Sequence, residues 1–101
     1  MSYLDLTIPH SLTQTEALTR VKRSLAGLKR QHRESLADVE EEWDGPNGKI
    51  SFSTRGLSVA GKIQVRDGVI RLSSRLPMIL STYKKKISAV IEKRGEELLV
   101  A

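Results

Sequence analysis

Apolar residues recur along the chain at two different spacings, and each spacing predicts a different kind of element. Leu4, Leu6 and Ile8 alternate with polar residues, which is the pattern of a short strand with one buried face. Pro9 ends this strand because proline has no N–H to donate to a neighbouring strand. The period then changes to three and four, which predicts a helix, before it returns to two.

The predicted helix begins at a capping sequence. Thr13 and Glu16 have the spacing of a capping box, in which both side chains accept hydrogen bonds from free backbone N–H groups. One face of the helix is apolar apart from a histidine and consists of Leu18, Val21, Leu25, Leu28, His32 and Leu36. The helix is expected to end between Arg33 and Ala37, with His32 at the edge of the core.

Four strands are predicted next, separated by turns. Their inward positions fall at every second residue: Val39, Glu41 and Trp43; Ile50 and Phe52; Leu57, Val59, Gly61, Ile63 and Val65. The last turn, Asp67-Gly68, predicts a type I′ hairpin. In that hairpin Val65 faces Ile70 and Ile63 faces Leu72, so that apolar residues meet on one face. The other face is expected to be exposed to water.

Pro77 is expected to open a second helix, as proline suits the first helical position. The apolar face of this helix would consist of Leu80, Tyr83, Ile87, Val90 and Ile91. The chain is therefore predicted to be a single α+β domain over residues 1–101. Its antiparallel sheet would have four to five strands, in the order β-α-β-β-β-β-α, with two helices packed on one face.

Composition limits the chemistry of these 101 residues. The 17 Lys and Arg against 12 Asp and Glu give a net charge of +5, which favours anionic partners. The absence of Cys excludes disulfides, thiolate metal sites and cysteine nucleophiles, and it suits the cytoplasm. No apolar run is long enough for a transmembrane segment, and no signal peptide is recognisable.

Two groups of basic residues are candidate contact sites. Four arginines on the outer side of the first helix would be the phosphate contacts of a nucleic-acid-binding module: Arg20, Arg23, Arg30 and Arg33. The alternative for them is a solvated exterior beside the acidic stretch 34–44. Lys84, Lys85 and Lys86 fan over the exposed side of the second helix, where they either contact an anionic surface or keep the protein soluble.

Catalytic groups are scarce. His10 lies between a strand end and a helix cap, where it is expected to order the turn, and no motif of a known catalytic or nucleotide-binding loop occurs. We therefore expect no enzymatic activity, no metal and no cofactor. Trp43 and Tyr83 are candidates for a ligand pocket between the sheet and the second helix. The alternative for Trp43 is that it closes the end of the core.

Several short segments together resemble the polyhydroxyalkanoic acid system family of small bacterial proteins. They are Ile8-Pro9-His10-Ser11-Leu12, Ala17 and Arg20, Glu42-Trp43-Asp44-Gly45, Ile50, Phe52-Ser53, Gly56, Gly61-Lys62-Ile63-Gln64-Val65 and Leu76-Pro77. The family is named for genes near those of polyhydroxyalkanoate synthesis and granules, so the resemblance implies a genomic context. The stretch 34–42 and the tail 96–101 depart from the family pattern.

The resemblance, together with the scarcity of catalytic groups, leads us to expect a non-enzymatic accessory protein of the polyhydroxyalkanoate system, and the absence of Cys suits a cytoplasmic location. Its partner would be a granule component, such as a granule protein, or a small hydrophobic ligand. The alternative is the nucleic-acid-binding module described above. A homo-oligomer could form through a strand edge or through the outer sheet face, and the sequence does not select between these two.

Overall fold

The computed structural model describes residues 2–54 and 56–100. Its elements are β1 (Ser2–Pro9), α1 (Gln14–Gln31), β2 (Ala37–Asp44), β3 (Asn47–Thr54), β4 (Leu57–Arg66), β5 (Val69–Leu76), α2 (Met78–Ser81) and α3 (Lys84–Leu98). The strands form one antiparallel sheet in the order β1-β5-β4-β3-β2. The predicted α+β fold and its element order are confirmed.

The register of the β4–β5 hairpin is also as predicted, since Val65 pairs with Ile70 and Ile63 with Leu72. The turn type is not. A type I′ turn needs positive φ at both central residues, whereas Gly68 has a φ of 77° and Asp67 is not among the residues with positive φ. The Asp67 carboxylate instead accepts a hydrogen bond from the backbone N–H of Gln14 at 2.6 Å. This contact ties the turn to the start of α1.

The core lies on one face of the sheet, between the strands and the helices α1 and α3. Its larger cluster consists of Ile8, Ala17, Val21, Ile63, Val65, Ile70 and Leu99. A smaller cluster lies towards β1 and consists of Leu4, Leu6 and Leu76, with Ile87 and Ile91 of α3 packed against it. Inward residues of the strands thus alternate with outward polar ones, and α1 and α3 both pack on the inward face.

Helix α1 is shorter than the sequence predicts. Thr13 caps it, accepting a hydrogen bond from the N–H of Glu16 at 3.3 Å, but the helix ends at Gln31. His32 has a φ of −118°, which leaves the helical region. Its side chain is exposed, so the expectation that it lies at the edge of the core is wrong.

The second predicted helix is broken into α2 and α3. It begins at Met78, with Pro77 as the preceding cap residue. At the break, the N–H of Tyr83 donates to the carbonyl of Leu80, three residues earlier. Such a bond tightens the turn and rotates the residues beyond it relative to an α-helix. Tyr83, at the break, is 56% exposed, although it was expected on the apolar face. Val90 was expected there too and is 62% exposed, because it lies off the side of α3 on which Ile87 and Ile91 pack against the core.

Candidate functional site

The break between α2 and α3 creates a surface of unusual composition. Met78, Ile79 and Tyr83 are 78%, 66% and 56% exposed. Lys84, Lys85 and Lys86 follow directly and are exposed as well. We call these six residues the α2–α3 surface. Large apolar side chains beside several lysines are typical of proteins that rest on an anionic, partly apolar surface.

The lysines of the α2–α3 surface lie at an unfavourable place in the helix. They form the first turn of α3, where the helix dipole is positive, and that turn has neither an acidic residue nor a side-chain cap. The ion pairs found among the described residues, Arg20–Glu16 and Lys29–Glu41, do not include them. A negative charge brought by a partner would therefore be stabilised by both the lysines and the helix terminus.

Trp43 lies in the opposite kind of environment. It is half-buried against the larger core cluster, and its Nε1–H donates to the Glu41 carboxylate at 2.6 Å. The ring lies over Gly48, where a Cβ would come within 2.7 Å of it. The ammonium group of Lys22 lies 5.1 Å from the ring centroid, which is a cation–π contact. These contacts support the expectation that Trp43 closes the core.

Glu41 connects Trp43 to helix α1. Its other carboxylate oxygen lies 2.7 Å from Nζ of Lys29, and the side chain is only 17% exposed. Burial raises the pKa of Glu41. The hydrogen bonds from Lys29 and Trp43, together with the charges of Lys29 and Lys22, outweigh it and hold the pKa below its ordinary value of 4.5. Glu41 is therefore an ionised anchor between β2 and α1.

Trp43 and Tyr83 do not line one pocket. Trp43 lies on β2 at one edge of the sheet, while α3, which follows Tyr83, packs on β1 at the other edge. A concavity of about 540 Å³ borders Trp43 but not Tyr83. A second concavity, of about 590 Å³, borders Met78 and Pro77 together with the last residues of β3 and the first residues of β4. Neither concavity is lined by a residue of α3.

Direct packing fills the space between α3 and β1 on the inward face of the sheet. A Cβ on Gly95 would lie 2.8 Å from Cδ1 of Ile8, so the Ile8 side chain packs directly against the helix backbone at this glycine. Leu4 and Leu6, further along β1, are 2% and 7% exposed. Protein atoms therefore fill the space beneath this part of α3.

The four arginines predicted as nucleic-acid contacts differ in their surroundings. Arg20 pairs with Glu16 at 3.1 Å, and its Nη1 donates to the backbone carbonyls of Leu98, at 3.1 Å, and Val100. It thus holds the end of α3 against α1. The other three, Arg23, Arg30 and Arg33, are exposed. A role for these three in nucleic-acid binding stays a prediction.

His10 orders the turn between β1 and α1, as the sequence predicts. Its Nδ1 accepts the N–H of Leu12 at 3.0 Å, so Nε2 carries the hydrogen and donates to the carbonyl of Arg66 at 3.0 Å. Both ring nitrogens are therefore engaged by backbone atoms. Together with Gln14, whose amide donates to the carbonyl of Val65, His10 fastens this segment to the β4–β5 hairpin.

Two residues of the α2–α3 surface were missed by sequence reasoning. Met78 and Ile79 follow Pro77 directly, but they lie outside the apolar face expected for the second helix. Their position off that face could have indicated an exposed apolar patch, because a helix that packs through its apolar face leaves the residues on its other sides exposed. Within residues 2–54 and 56–100 there is no cluster of three or more side chains that could ligate a metal, and none of the helices there is long and apolar enough to cross a membrane.

Comparison with known proteins identifies the family. The family model described as "Putative polyhydroxyalkanoic acid system protein" matches residues 4–99. No curated protein and no solved structure matches the chain. The match extends from β1 to the end of α3, and so includes both Trp43 and the α2–α3 surface. The chain belongs to the family of polyhydroxyalkanoic acid system proteins.

Proposed function

We propose that this protein is a non-enzymatic, cytoplasmic accessory protein of the polyhydroxyalkanoate system, which binds the surface of the polyester granule through the α2–α3 surface. Membership of the family supports the link to the polyhydroxyalkanoate system. The observation that carries the proposal is the exposure of Met78, Ile79 and Tyr83 beside three consecutive lysines.

Two kinds of contact would contribute to such binding. Each CH₂ group of an apolar side chain that leaves water contributes roughly 0.8 kcal/mol. Each lysine near an anionic headgroup contributes on the order of 1 kcal/mol. The apolar side chains would enter the granule coat while the lysines contact its anionic groups. Neither contact requires the protein to change its fold.

A small hydrophobic ligand is the weaker alternative as the granule-system partner. Such a ligand needs an apolar cavity that encloses most of its surface. The two concavities described above are open to solvent and border charged residues such as Glu40 and Lys49. The close approach of Gly95 to Ile8 occupies the space between α3 and β1. The available apolar area is therefore on the outside of the molecule.

An enzymatic role has little support in the described residues. A general acid or base needs a free position on its side chain that faces a substrate. The two nitrogens of His10 are both used in holding a turn, and Glu41 is held between Lys29 and Trp43. Both groups contribute to the fold, which is consistent with a binding protein.

The test is co-sedimentation of the purified protein with purified polyhydroxyalkanoate granules. The variants Met78→Ser/Ile79→Ser and Lys84→Gln/Lys85→Gln/Lys86→Gln should each bind about tenfold to a hundredfold more weakly. The matched control is Lys49→Gln/Lys62→Gln/Arg71→Gln, which removes the same charge from the outer face of the sheet. The control should bind as the unmodified protein does.

Equal losses in the lysine variant and its control would show that binding depends on net charge alone. An undiminished affinity in the serine variant would contradict the proposed apolar contact. No binding of the unmodified protein to granules would overturn the proposal.

A further inference from the structure

The two edge strands of the sheet differ in ways that affect pairing with another strand. β2 and β1 are both eight residues long and each has one unpaired edge. Exposed strand edges are templates for further pairing, and proteins usually protect them with charges, bulges or prolines. One of these two edges has a register shift and many charges, whereas the other has an unbroken register and a single charge.

β2 is the protected edge. Its pairing with β3 shifts register between Ala37 and Glu40, and Asp38 has a φ of 52°, a conformation that interrupts an extended strand. The strand carries five acidic residues, Asp38, Glu40, Glu41, Glu42 and Asp44. A second β2 laid against it would bring carboxylates together, so this edge disfavours pairing with a copy of itself.

β1 has few of these features: one charged residue, Asp5, and a proline only at its end. All eight residues pair with β5 in one unbroken register. The sequence SYLDLTIP contains no lysine or arginine, and its proline is the last residue. The outward side chains Tyr3, Asp5 and Thr7 are exposed. By the usual criteria for edge strands, β1 is open to pairing.

The backbone groups that face this edge can be identified. The N–H of His10 donates to the carbonyl of Gly68 at 2.9 Å, which continues the β1–β5 ladder by one residue. The backbone N–H and C=O groups of successive residues point alternately to the two edges of a strand. His10 points towards β5, so the backbone groups of Tyr3, Asp5 and Thr7 point towards the free edge. Pro9 also faces the free edge, so its lack of an N–H removes no hydrogen bond between β1 and β5.

We infer that β1 pairs with the β1 strand of a second copy of this chain, antiparallel, with Leu6 on the two-fold axis. In this register Asp5 faces Thr7 of the second copy and Tyr3 faces its Pro9. The strands would form about six backbone hydrogen bonds, two from each Asp5–Thr7 pair and one from each Tyr3–Pro9 pair. The two five-stranded sheets would then continue as one.

The side chains select this register over its neighbour. With Asp5 on the axis, the same number of backbone bonds would form, but two carboxylates would face each other. With Leu6 on the axis, the Thr7 hydroxyl can donate to the Asp5 carboxylate, and the exposed Tyr3 ring lies against Pro9. Leu4 then faces Ile8 on the inner side, so no like charges meet.

The association is expected to be a concentration-dependent equilibrium. Leu4, Leu6 and Ile8 are already at most 7% exposed in the single chain, so pairing removes little further apolar area from water. The gain comes mainly from backbone hydrogen bonds, which contribute modestly because water replaces them in the single chain. The pairing edge shares no residue with the α2–α3 surface, so the inference does not depend on the proposed function.

The test compares Thr7→Asp with Thr7→Asn by sedimentation velocity over a wide concentration range. In the dimer, Thr7→Asp places two pairs of carboxylates opposite each other, and the dimer dissociation constant should rise about tenfold relative to Thr7→Asn. In the single chain, position 7 pairs with Arg71, so the aspartate does not threaten the fold. Equal thermal stability of the two variants at low concentration confirms this.

Cysteine cross-linking fixes the register, because the unmodified chain has no Cys. A mixture of Tyr3→Cys and Pro9→Cys proteins should form a disulfide-linked dimer under mild oxidation, since these positions face each other. A mixture of Tyr3→Cys and Thr7→Cys proteins should not, because it would cross-link only with Asp5 on the axis.

Three results would overturn the inference. They are a single-chain species at all concentrations up to about 1 mM, equal dissociation constants for Thr7→Asp and Thr7→Asn, or cross-linking in the second mixture but not in the first.

Discussion

Trp43 and Tyr83 are both aromatic and only partly covered, yet nearly every feature of their surroundings differs. Trp43 donates a hydrogen bond to Glu41, lies under the ammonium of Lys22 and rests on Gly48. Tyr83 is 56% exposed and belongs to neither of the two core clusters. The lysines near Trp43 are engaged within the chain, whereas the lysines beside Tyr83 point into solvent from a helix terminus that repels them.

The difference shows how to separate a structural aromatic residue from one that is available to a partner. Where the polar atoms and the ring faces are already in contact within the chain, removal should lower the free energy of unfolding and leave binding unchanged. Where they are not in contact within the chain, removal should weaken binding and leave the free energy of unfolding nearly unchanged. The following variants test this division, from the largest expected effect on stability to the smallest.

Trp43→Ala should give the largest loss. It removes the half-buried ring and leaves the carboxylate of Glu41 without its indole donor. The free energy of unfolding should fall by about 3 kcal/mol, at the lower end of the range for a buried aromatic residue. Chemical denaturation followed by circular dichroism measures this, since the variant has no tryptophan whose fluorescence could be followed. Granule binding at a temperature where the variant is folded should be unchanged, and a loss there would contradict the comparison.

Gly48→Ala should be the next most harmful change. The added Cβ would lie 2.7–2.9 Å from three ring atoms of Trp43, so the indole must move. The expected loss is about 2 kcal/mol, with an altered tryptophan emission spectrum in the folded state. The matched control is Gly27→Ala, where nothing lies within 4 Å of the new Cβ and helix propensity favours alanine. Equal effects at the two glycines would show that Trp43 is not packed on Gly48.

The alternation of apolar residues predicted the strands, the register of the last hairpin and the side of the sheet on which the helices lie. Those features follow from local spacing, because a one-residue shift would expose every inward side chain. The role of His10 was also predictable, because it lies between a strand end and a cap that must be joined tightly.

Other features depend on contacts between distant parts of the chain. The link from Lys29 to Glu41 to Trp43 joins α1 to β2, and no sequence spacing encodes it. The break before Tyr83 was hidden, because the spacing of Leu80, Ile87 and Ile91 continues across it. The edge position of β1 follows from the sheet order, which element order alone does not determine.

Glu41→Gln should have a smaller, pH-dependent effect. The pKa of Glu41 is lowered in the folded chain, so the ionised carboxylate stabilises the fold above its unfolded pKa, near 4.5. This contribution is lost as the pH falls through the folded pKa. At pH 7 the variant should be less stable by under about 1 kcal/mol, since Lys29 is 41% exposed.

The difference between the Glu41→Gln variant and the unmodified protein should shrink below pH 4.5 and vanish at lower pH. Denaturation midpoints measured from pH 7 to pH 2.5 would show it. A difference that stayed constant down to the lowest pH would contradict an ionised anchor.

Tyr83→Ser should have the smallest effect on stability, within about 0.5 kcal/mol, because the side chain is exposed and contributes to neither core cluster. Its effect on granule binding should nevertheless exceed that of Trp43→Ala. Thermal denaturation and co-sedimentation of the same preparations measure both quantities. A large fall in stability with unchanged binding would reverse the roles assigned to the two aromatic residues.

The most direct test of the granule contact is the emission of an indole at each of the two positions. Trp43 is the only tryptophan, so the unmodified protein reports on position 43, and the difference spectrum of Tyr83→Trp reports on position 83. On addition of purified granules, the emission from position 83 should shift to shorter wavelength, because that side chain leaves water, while the emission of Trp43 should stay unchanged. No shift at position 83, or an equal shift at both positions, would contradict binding through the α2–α3 surface.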